Sequence, residues 1–360
     1  MSNKFIIALI LSTFLYFSCK KEEPKGDAYH ITTPYALEFG NLPTPIIPID
    51  NPMTIEGVSL GRLLFYDKRL SSDESISCGT CHVAENGFSD TNRFSLGVLG
   101  LPGGRQAMAT VNMLWNTNQF FWDGRANLLR DQSLLPIQDS LEMHETLPNI
   151  VAKLQNSVLY RSQFVRAFGS SEITTVNISK ALEQFMNSIV SYNSKFDKAE
   201  RGAVVLTSSE QRGKDLFYTE YNAFFPATSG ADCAHCHSGG NFENDLYMNN
   251  GLDSDVDMAD NGRMKATLST ADKAKFKVPS LRNIALTFPY MHDGRFQTLE
   301  EVLDHYNSGI VNSSTVDPAI ENTRVTGLFL DAQDKVDLVN FLKTLTDYDV
   351  ISNTEYQSPF

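Results

Sequence analysis

The same short motif, Cys-x-x-Cys-His, occurs twice in this chain of 360 residues. The first copy is Cys78-Gly-Thr-Cys81-His82 and the second is Cys233-Ala-His-Cys236-His237. This spacing attaches haem c covalently: the cysteines form thioethers with the porphyrin, and the adjacent histidine binds the iron. A chain with two such motifs has to fold around two cofactors, so the sequence predicts a dihaem protein.

The cysteine count tests this interpretation against two alternatives, a redox dithiol and a pair of zinc half-sites. The chain has five cysteines, and the two motifs use all of them except Cys19. A zinc site would need both motifs close together in space, and it gives no reason for a histidine after each second cysteine. Haem attachment is therefore the favoured reading.

The N-terminus has the form of an export signal. Lys4 precedes an apolar run, Phe5 to Phe17, which ends at Ser18-Cys19 and is too short to span a bilayer comfortably. We predict that residues 1–19 are a bacterial lipoprotein signal peptide, that Cys19 is diacylated, and that the protein is anchored to a membrane in the periplasm. Soluble periplasmic export is the alternative, because the usual leucine three places before the cysteine is Tyr16.

Composition and periodicity predict an all-α chain of two domains. A net charge of −13 disfavours nucleic-acid binding. Prolines mark residues 20–50 as a tether and extended lead-in. Apolar residues recur at helical spacing over Asn177 to Ile189, Leu299 to Tyr306 and Asp334 to Leu345. Each of two domains, 51–200 and 201–360, is expected to be cytochrome-c-like and to fold around one haem. The linker is predicted over Lys198 to Val205, before a helix that opens with a capping box, Thr207 to Glu210.

Short segments related in sequence precede the two haem motifs. Gly61-Arg-Leu-Leu-Phe65 precedes the first, and Gly213-Lys-Asp-Leu-Phe217 precedes the second. Descent of both domains from a single-haem cytochrome would produce this pattern, and so would chance similarity of two short amphipathic helices.

Longer motifs indicate whether this chain is an enzyme or an electron carrier. They include Phe121-Trp-Asp-Gly-Arg-Ala126, Phe276-Lys-Val-Pro-Ser-Leu-Arg-Asn283 and Pro289-Tyr-Met-His-Asp-Gly294, together with Gly61 to Asp67 and the isolated residues Arg105, Asn112, Gln132, Pro136, Glu142 and Met143. With these motifs the chain resembles the bacterial dihaem cytochrome c peroxidase family, which includes the MauG-type enzymes. The resemblance extends from about Asn51 to Leu345.

The resemblance implies roles for residues around the first haem. The haem on Cys78, Cys81 and His82 would be the peroxidatic one. Glu142 matches a carboxylate that moves the peroxide proton, and Gln132 matches its amide companion. Trp122 matches a tryptophan that conducts electrons between the haems. Arg105 and Arg125 are candidates for contacts with the haem propionates or for ion pairs between domains.

At the second haem, the resemblance points to the sixth iron ligand. Typical peroxidases have a methionine fourteen residues beyond the histidine of the His-Asp-Gly motif, and from His292 that position is Tyr306. A tyrosine there is the pattern of the MauG-type branch. His305 is adjacent, but its side chain points about 100° away on a helix, so only one of the two can face the iron. Met291 and an open site are the remaining alternatives.

A second departure from the family concerns the first haem. The histidine that caps this haem in resting family members is replaced by Val98, which cannot bind iron. We therefore expect an open peroxidatic haem that needs no reductive activation. Met108 is the nearest candidate for a substitute ligand.

The family commonly holds a calcium ion between its domains. The matching carbonyl positions are Thr287 and Pro289, and Gln106 replaces the usual asparagine, so the resemblance implies a bound Ca²⁺. The acidic run Asp253, Asp255, Asp257 and Asp260 lacks EF-hand spacing and is interpreted as a solvated loop.

The expected function is that of a periplasmic dihaem c-type peroxidase. It would reduce hydrogen peroxide with electrons from a small c-type cytochrome or a cupredoxin, and would share oxidising equivalents between the haems through Trp122. One alternative is MauG-like oxidation of residues on a partner protein. The other is a dihaem electron carrier, which Gln132 and Glu142 argue against.

Overall fold

The computed structural model describes residues 29–360. The predicted signal peptide, the predicted diacylation site Cys19 and the first part of the lead-in lie outside the described residues. Within the described range, no helix is both long enough and apolar enough to cross a bilayer.

The described chain is helical, with thirteen α-helices and two very short strands. The strands, β1 (Tyr247–Met248) and β2 (Phe276–Lys277), are antiparallel. The predicted all-α class is therefore confirmed, because this ladder is only two residues long. The helices are α1 (Ile55–Tyr66), α2 (Cys78–Cys81), α3 (Leu129–Gln138), α4 (Leu147–Gln155), α5 (Val158–Phe168), α6 (Thr175–Ser188), α7 (Lys195–Glu200), α8 (Ser208–Tyr218), α9 (Met264–Thr267), α10 (Leu299–Asp304), α11 (Glu321–Thr326), α12 (Ala332–Lys343) and α13 (Tyr348–Ser352).

Buried apolar side chains form two clusters. The first contains residues from Met53 to Ile189, and the second contains residues from Phe196 to Leu345. Val350 belongs to the first cluster although it follows the second in sequence. The predicted boundary at residues 200–201 lies near the change of cluster, and it stays a prediction.

The two related segments form equivalent helix crossings. In α1, a Cβ added to Gly61 would lie 1.9 Å from the carbonyl oxygen of Ala181, and in α8 a Cβ on Gly213 would lie 2.0 Å from that of Asp337. Four residues after each glycine, a buried phenylalanine meets another edge-on: the ring centroids are 5.2 Å apart for both Phe65–Phe185 and Phe217–Phe341. The short sequence repeat therefore corresponds to a structural repeat, α1 on α6 and α8 on α12.

Most predicted helices are observed, and one predicted linker is partly wrong. Helices α6 and α12 confirm two of the periodic segments, and α8 opens with the predicted Thr207–Glu210 capping box. The predicted linker 198–205 begins inside helix α7, because Ser194 and Asp197 cap that helix reciprocally. The periodic segment 299–306 forms α10 and then widens into a π-helical turn, His305–Gly309.

Candidate active site

The first Cys-x-x-Cys-His motif lines a large cavity. Helix α2 carries both cysteines and begins with a capping box between Ser77 and Thr80. The thiols of Cys78 and Cys81 and the ring of His82 face a cavity of about 580 Å³. Both cysteines are free thiols, and burial raises the pKa of the Cys78 thiol to about 12.

The His82 ring is oriented for binding a metal through its outer nitrogen. Its Nδ1 lies 3.0 Å from the carbonyl oxygen of Phe88 and 3.0 Å from the hydroxyl of Thr110. A carbonyl can only accept a hydrogen bond, so Nδ1 carries the proton and Nε2 is left with its lone pair. Burial also lowers the pKa of His82, which favours the neutral ring. The volume, the two thiols and this tautomer fit a covalently attached haem c.

Glu142 and Gln132 line this same cavity. Gln132 lies in the first turn of α3, and Glu142 follows that helix in the turn that leads to α4. Burial and then the nearby charge of Asp139 raise the pKa of Glu142 to about 7, although Arg125 acts in the opposite direction. Within residues 29–360 no side chain forms a hydrogen bond with the Glu142 carboxyl group, which leaves it available to a molecule in the cavity.

The loop that carries Val98 is fixed to the backbone of Glu142. The amide of Val98 donates to the carbonyl oxygen of Glu142 at 2.9 Å. A Cβ on Gly97 would lie 2.2 Å from the carbonyl oxygen of Leu141, so this close approach requires glycine. Met108, the predicted substitute ligand, lines this cavity too.

Trp122 lies between two cavities. Its indole N–H donates to the carbonyl oxygen of Gln106 at 2.8 Å, and its side chain is only 9% exposed. Trp122 contributes to the wall of the 580 Å³ cavity and also to that of a second cavity of about 90 Å³. Its carbonyl oxygen accepts from the amide of Lys277 in β2, which ties it to the second half of the chain.

The two predicted arginines line the first cavity and share one carboxylate. Arg105 lies 2.7 Å from Asp123 and 2.7 Å from Asp260, which joins the two halves of the chain. Arg125 lies 3.1 Å from Asp123, and its guanidinium stacks on Phe121 at 3.6 Å.

The second motif repeats the histidine orientation. The Nδ1 of His237 lies 3.2 Å from the carbonyl oxygen of Phe242 and 3.1 Å from that of Pro279, so its Nε2 is also unprotonated. Burial lowers the pKa of His237 to about 4. Cys233 and Cys236 are free thiols, and Cys233 and Tyr306 pack against the same apolar cluster. The two thiols, the neutral imidazole and a phenol form a donor set that fits a second haem c.

The side chains of Tyr306 and His305 make different contacts. Tyr306 presents its hydroxyl to Asn250, whose Nδ2 is 3.2 Å away. The Nε2 of His305 lies 2.9 Å from the carbonyl oxygen of Asn250 and therefore donates to it. The nitrogen that would have to bind iron is thus already engaged with the backbone. Met291 points its sulfur at the same Asn250 amide, at 3.3 Å.

The predicted calcium ligands meet at the smaller cavity. Gln106, Thr287 and Pro289 all line it. The Nε2 of Gln106 donates to the Ser89 hydroxyl at 2.9 Å, which leaves its Oε1 for another partner. Across residues 29–360 no cluster of three acidic, histidine or cysteine side chains is arranged to hold a metal ion.

The acidic run is less solvated than expected. Ion pairs join Asp253 to Arg295, Asp255 to Lys273, and Asp260 to Lys265 and Arg105. Asp255 and Asp257 are exposed, as expected of a solvated loop, whereas Asp253 and Asp260 are half-buried in their ion pairs. Arg295 and Arg105 are distant in sequence from Asp253 and Asp260, so no local pattern could reveal these two pairs.

Sequence reasoning missed Lys277, which lines both cavities. It is only 3% exposed, pairs with Asp245 and donates to the carbonyl oxygen of Asn118 at 2.8 Å. Burial lowers the pKa of this amine. Lys277 lies inside the motif from Phe276 to Asn283, and this position was the one sequence signal that could have indicated a functional role.

The fold and the two sites define a helical dihaem redox protein in which one haem site includes a half-buried carboxyl group. A family model described as di-haem cytochrome c peroxidase matches residues 55–204. The methylamine utilization protein MauG of Methylophilus methylotrophus is 31% identical over 299 residues, which cover 83% of this chain and 84% of that protein. The cytochrome c551 peroxidase of Nitrosomonas europaea is 37% identical over 268 residues, covering 72% and 76%.

A solved structure agrees with these relatives. A MauG-like protein associated with microbial copper homeostasis superposes with a TM-score of 0.80 at 34% identity, covering 88% of this chain and 97% of that one. This chain belongs to the dihaem cytochrome c peroxidase family. It is a peroxidase-type oxidoreductase, and the family implies haem c cofactors.

Proposed function

We propose that peroxide is reduced in the cavity beside Cys78, Cys81 and His82. The observation that carries this assignment is Glu142, a half-buried carboxyl group with a pKa of about 7 in the same cavity as the motif. Iron held by His82 would bind peroxide and supply electrons for cleavage of its O–O bond. Reduction of one hydrogen peroxide to two waters consumes two electrons and two protons, so the site needs a group that moves protons.

Glu142 is the proton-transfer group. It takes the proton from the bound peroxide and returns it to the departing oxygen, and a carboxyl group with a pKa near neutrality can act in both directions. The amide of Gln132 donates to the oxygen on which negative charge develops. Val98 cannot bind iron, so this face of the site is open to peroxide without prior reduction of the protein.

Tyr306 and His237 would together hold the second iron, His237 through its Nε2 and Tyr306 through its phenolate oxygen. An anionic phenolate oxygen favours higher oxidation states of iron than a thioether does. The engaged Nε2 of His305 supports the choice of Tyr306. Trp122 conducts electrons between the sites. Its position in the wall of the first cavity, and the bond from the Lys277 amide to its carbonyl oxygen, support this role.

Each half of the chain is a cytochrome-c-like domain around one haem. The equivalent helix crossings and the equivalent histidine orientations support this division. Arg105 acts through its ion pair with Asp260, which joins the two halves, and the more exposed Arg125 contacts a propionate of the first haem. Ca²⁺ binds at the smaller cavity through the carbonyl oxygens of Thr287 and Pro289 and the Oε1 of Gln106.

The protein works in the periplasm and is anchored to a membrane through Cys19. Haem c is attached outside the cytoplasm, in agreement with an export signal. Electrons come from a small c-type cytochrome or a cupredoxin, and the net charge of −13 favours a donor with a basic docking face.

A second candidate function is peroxide-dependent oxidation of residues on a partner protein. The combination of Val98 and Tyr306 favours it, and so does the similarity to a protein named MauG. Both candidates use the same peroxide site and differ in what supplies the electrons.

The test is a titration of the fully oxidised holoprotein with stoichiometric peroxide, without pre-reduction, followed by optical and EPR spectroscopy. We expect a resting high-spin signal that is lost at once. Two low-spin haems that ignore peroxide until one is reduced would contradict the open site. If peroxide still failed to react after reduction, the electron-carrier alternative would replace both candidates.

A further inference from the structure

The side chain of Asn250 lies between two groups at the second haem site. Its Nδ2 is 3.2 Å from the Tyr306 hydroxyl and 3.3 Å from the Met291 sulfur. A thioether sulfur can only accept a hydrogen bond, so the amide must turn its N–H₂ group toward it. The same orientation directs the second N–H of this group at the oxygen of Tyr306.

Asn250 is itself held in place from the Tyr306 side. The residue before Tyr306, His305, donates from Nε2 to the Asn250 carbonyl oxygen at 2.9 Å. His305 is only 6% exposed and packs against Phe296, with ring centroids 5.6 Å apart. His305 and Tyr306 both lie in the π-helical turn, and their rings are at 67° to each other.

Neighbouring contacts fix the loop that carries Asn250. Asn249 donates to the hydroxyls of Ser313 at 2.9 Å and Thr315 at 3.0 Å, and its side-chain oxygen accepts from the amide of Gly251 at 2.9 Å. The Asn250 amide is therefore presented to Tyr306 by a backbone that is hydrogen-bonded on both sides.

We propose that Asn250 is a positioning residue for Tyr306: its amide N–H donates to the phenolate oxygen and so sets the reduction potential of the second haem. The inference rests on the proposed ligation of that haem by Tyr306. A hydrogen bond to an anionic ligand withdraws electron density from the donor oxygen, so the oxidised iron is stabilised less. Loss of the bond makes the oxygen a stronger donor and lowers the potential. His305 contributes to this positioning because it donates a hydrogen bond to the Asn250 carbonyl oxygen.

The experiment compares holoprotein variants by spectroelectrochemical titration and EPR. Asn250→Leu removes the donor at similar size, and we expect a lower potential of the second haem and shifted EPR g-values, with the first haem unchanged. Asn250→Asp keeps the shape but replaces the donor with an acceptor, so it should lower the same potential further. Asn250→Gln keeps an N–H₂ group and should restore part of the wild-type value. Because Asn250→Asp preserves size, it decides the question even if Asn250→Leu fails to fold.

Two further variants separate this inference from the proposed ligand. Tyr306→Phe should abolish the low-spin signal of the second haem, whereas Met291→Leu should leave it in place. An unchanged signal in Tyr306→Phe would overturn the ligand assignment and the inference together. A changed signal in Tyr306→Phe, combined with wild-type potentials in both Asn250→Leu and Asn250→Asp, would overturn the inference alone.

Discussion

At the scale of single residues, the acidity of Glu142 should control how activity varies with pH. Its pKa is raised to about 7, first by burial and then by the charge of Asp139. A general base works only when deprotonated, so kcat/KM should rise with pH and level off above about 7. Glu142→Gln cannot exchange a proton, and we expect it to lower kcat/KM by about 100-fold or more and to flatten the profile. Steady-state peroxide reduction between pH 5 and 9 measures both effects.

Asp139→Asn provides the matched variant for this prediction. It removes a negative charge near Glu142 but keeps a side-chain oxygen to accept the Leu141 amide, which Asp139 binds at 2.9 Å. Without that charge the pKa of Glu142 falls, so the acid limb of the profile should move to lower pH at an unchanged plateau. If the acid limb of the pH profile stayed at the same pH in Asp139→Asn, a group other than Glu142 would control it.

At the scale of secondary-structure elements, the two helix crossings depend on glycine. A Cβ at Gly61 or Gly213 would lie 1.9 or 2.0 Å from a backbone carbonyl oxygen, which cannot move without separating the helices. Alanine favours a helix by about 1 kcal/mol over glycine, but overpacking costs about 1–3 kcal/mol and should dominate. We expect Gly61→Ala and Gly213→Ala each to destabilise the protein in denaturant titrations. Gly104→Ala is the control, because nothing lies within 4 Å of its added Cβ.

The same elements show which parts of the secondary structure local sequence patterns can predict. The capping box at Thr207 and the periodic faces of α6 and α12 are local signals, and each predicted a helix that the structure contains. Helix α7 has an equally clear box at Ser194, but it is only six residues long, too short for a periodic face to mark it. The π-helical turn at His305 was not predictable, because its widening accompanies a contact with Asn250, which is distant in sequence.

At the scale of the whole molecule, what sequence could and could not predict follows from distance along the chain. The haem motifs, Glu142 and Tyr306 stand in recognisable patterns, so they could be named in advance. The ion pairs of Asp253 and Asp260, the position of Lys277 in the walls of both cavities, and the contact of Asn250 with Tyr306 join segments far apart in sequence. Such contacts exist only after the chain has folded.

The C-terminal segment shows how the two halves depend on each other. Although it follows the second cluster, Val350 is buried in the first, and Tyr356 accepts at its carbonyl oxygen from the Tyr66 hydroxyl at 2.6 Å. The Tyr356 ring packs edge-on against Phe88, with centroids 6.5 Å apart. The carbonyl oxygen of Phe88 is the one that orients His82. The end of the chain therefore supports the imidazole proposed to bind iron in the first half.

A truncation after Asp347 should expose this dependence. Removing residues 348–360 exposes the surface of Phe88 and of the residues that pack against Val350. We therefore expect the first half to lose stability on the order of 3 kcal/mol. The optical and EPR signals of the first haem should change because the Phe88 carbonyl oxygen no longer holds His82 firmly, while those of the second haem should not. A shorter truncation after Gln357 keeps Tyr356 and the 2.8 Å bond from Arg62 to the Gln357 carbonyl oxygen, so it should behave like the full chain. Equal effects of the two truncations, or a change confined to the second haem, would show that Tyr356 does not support His82.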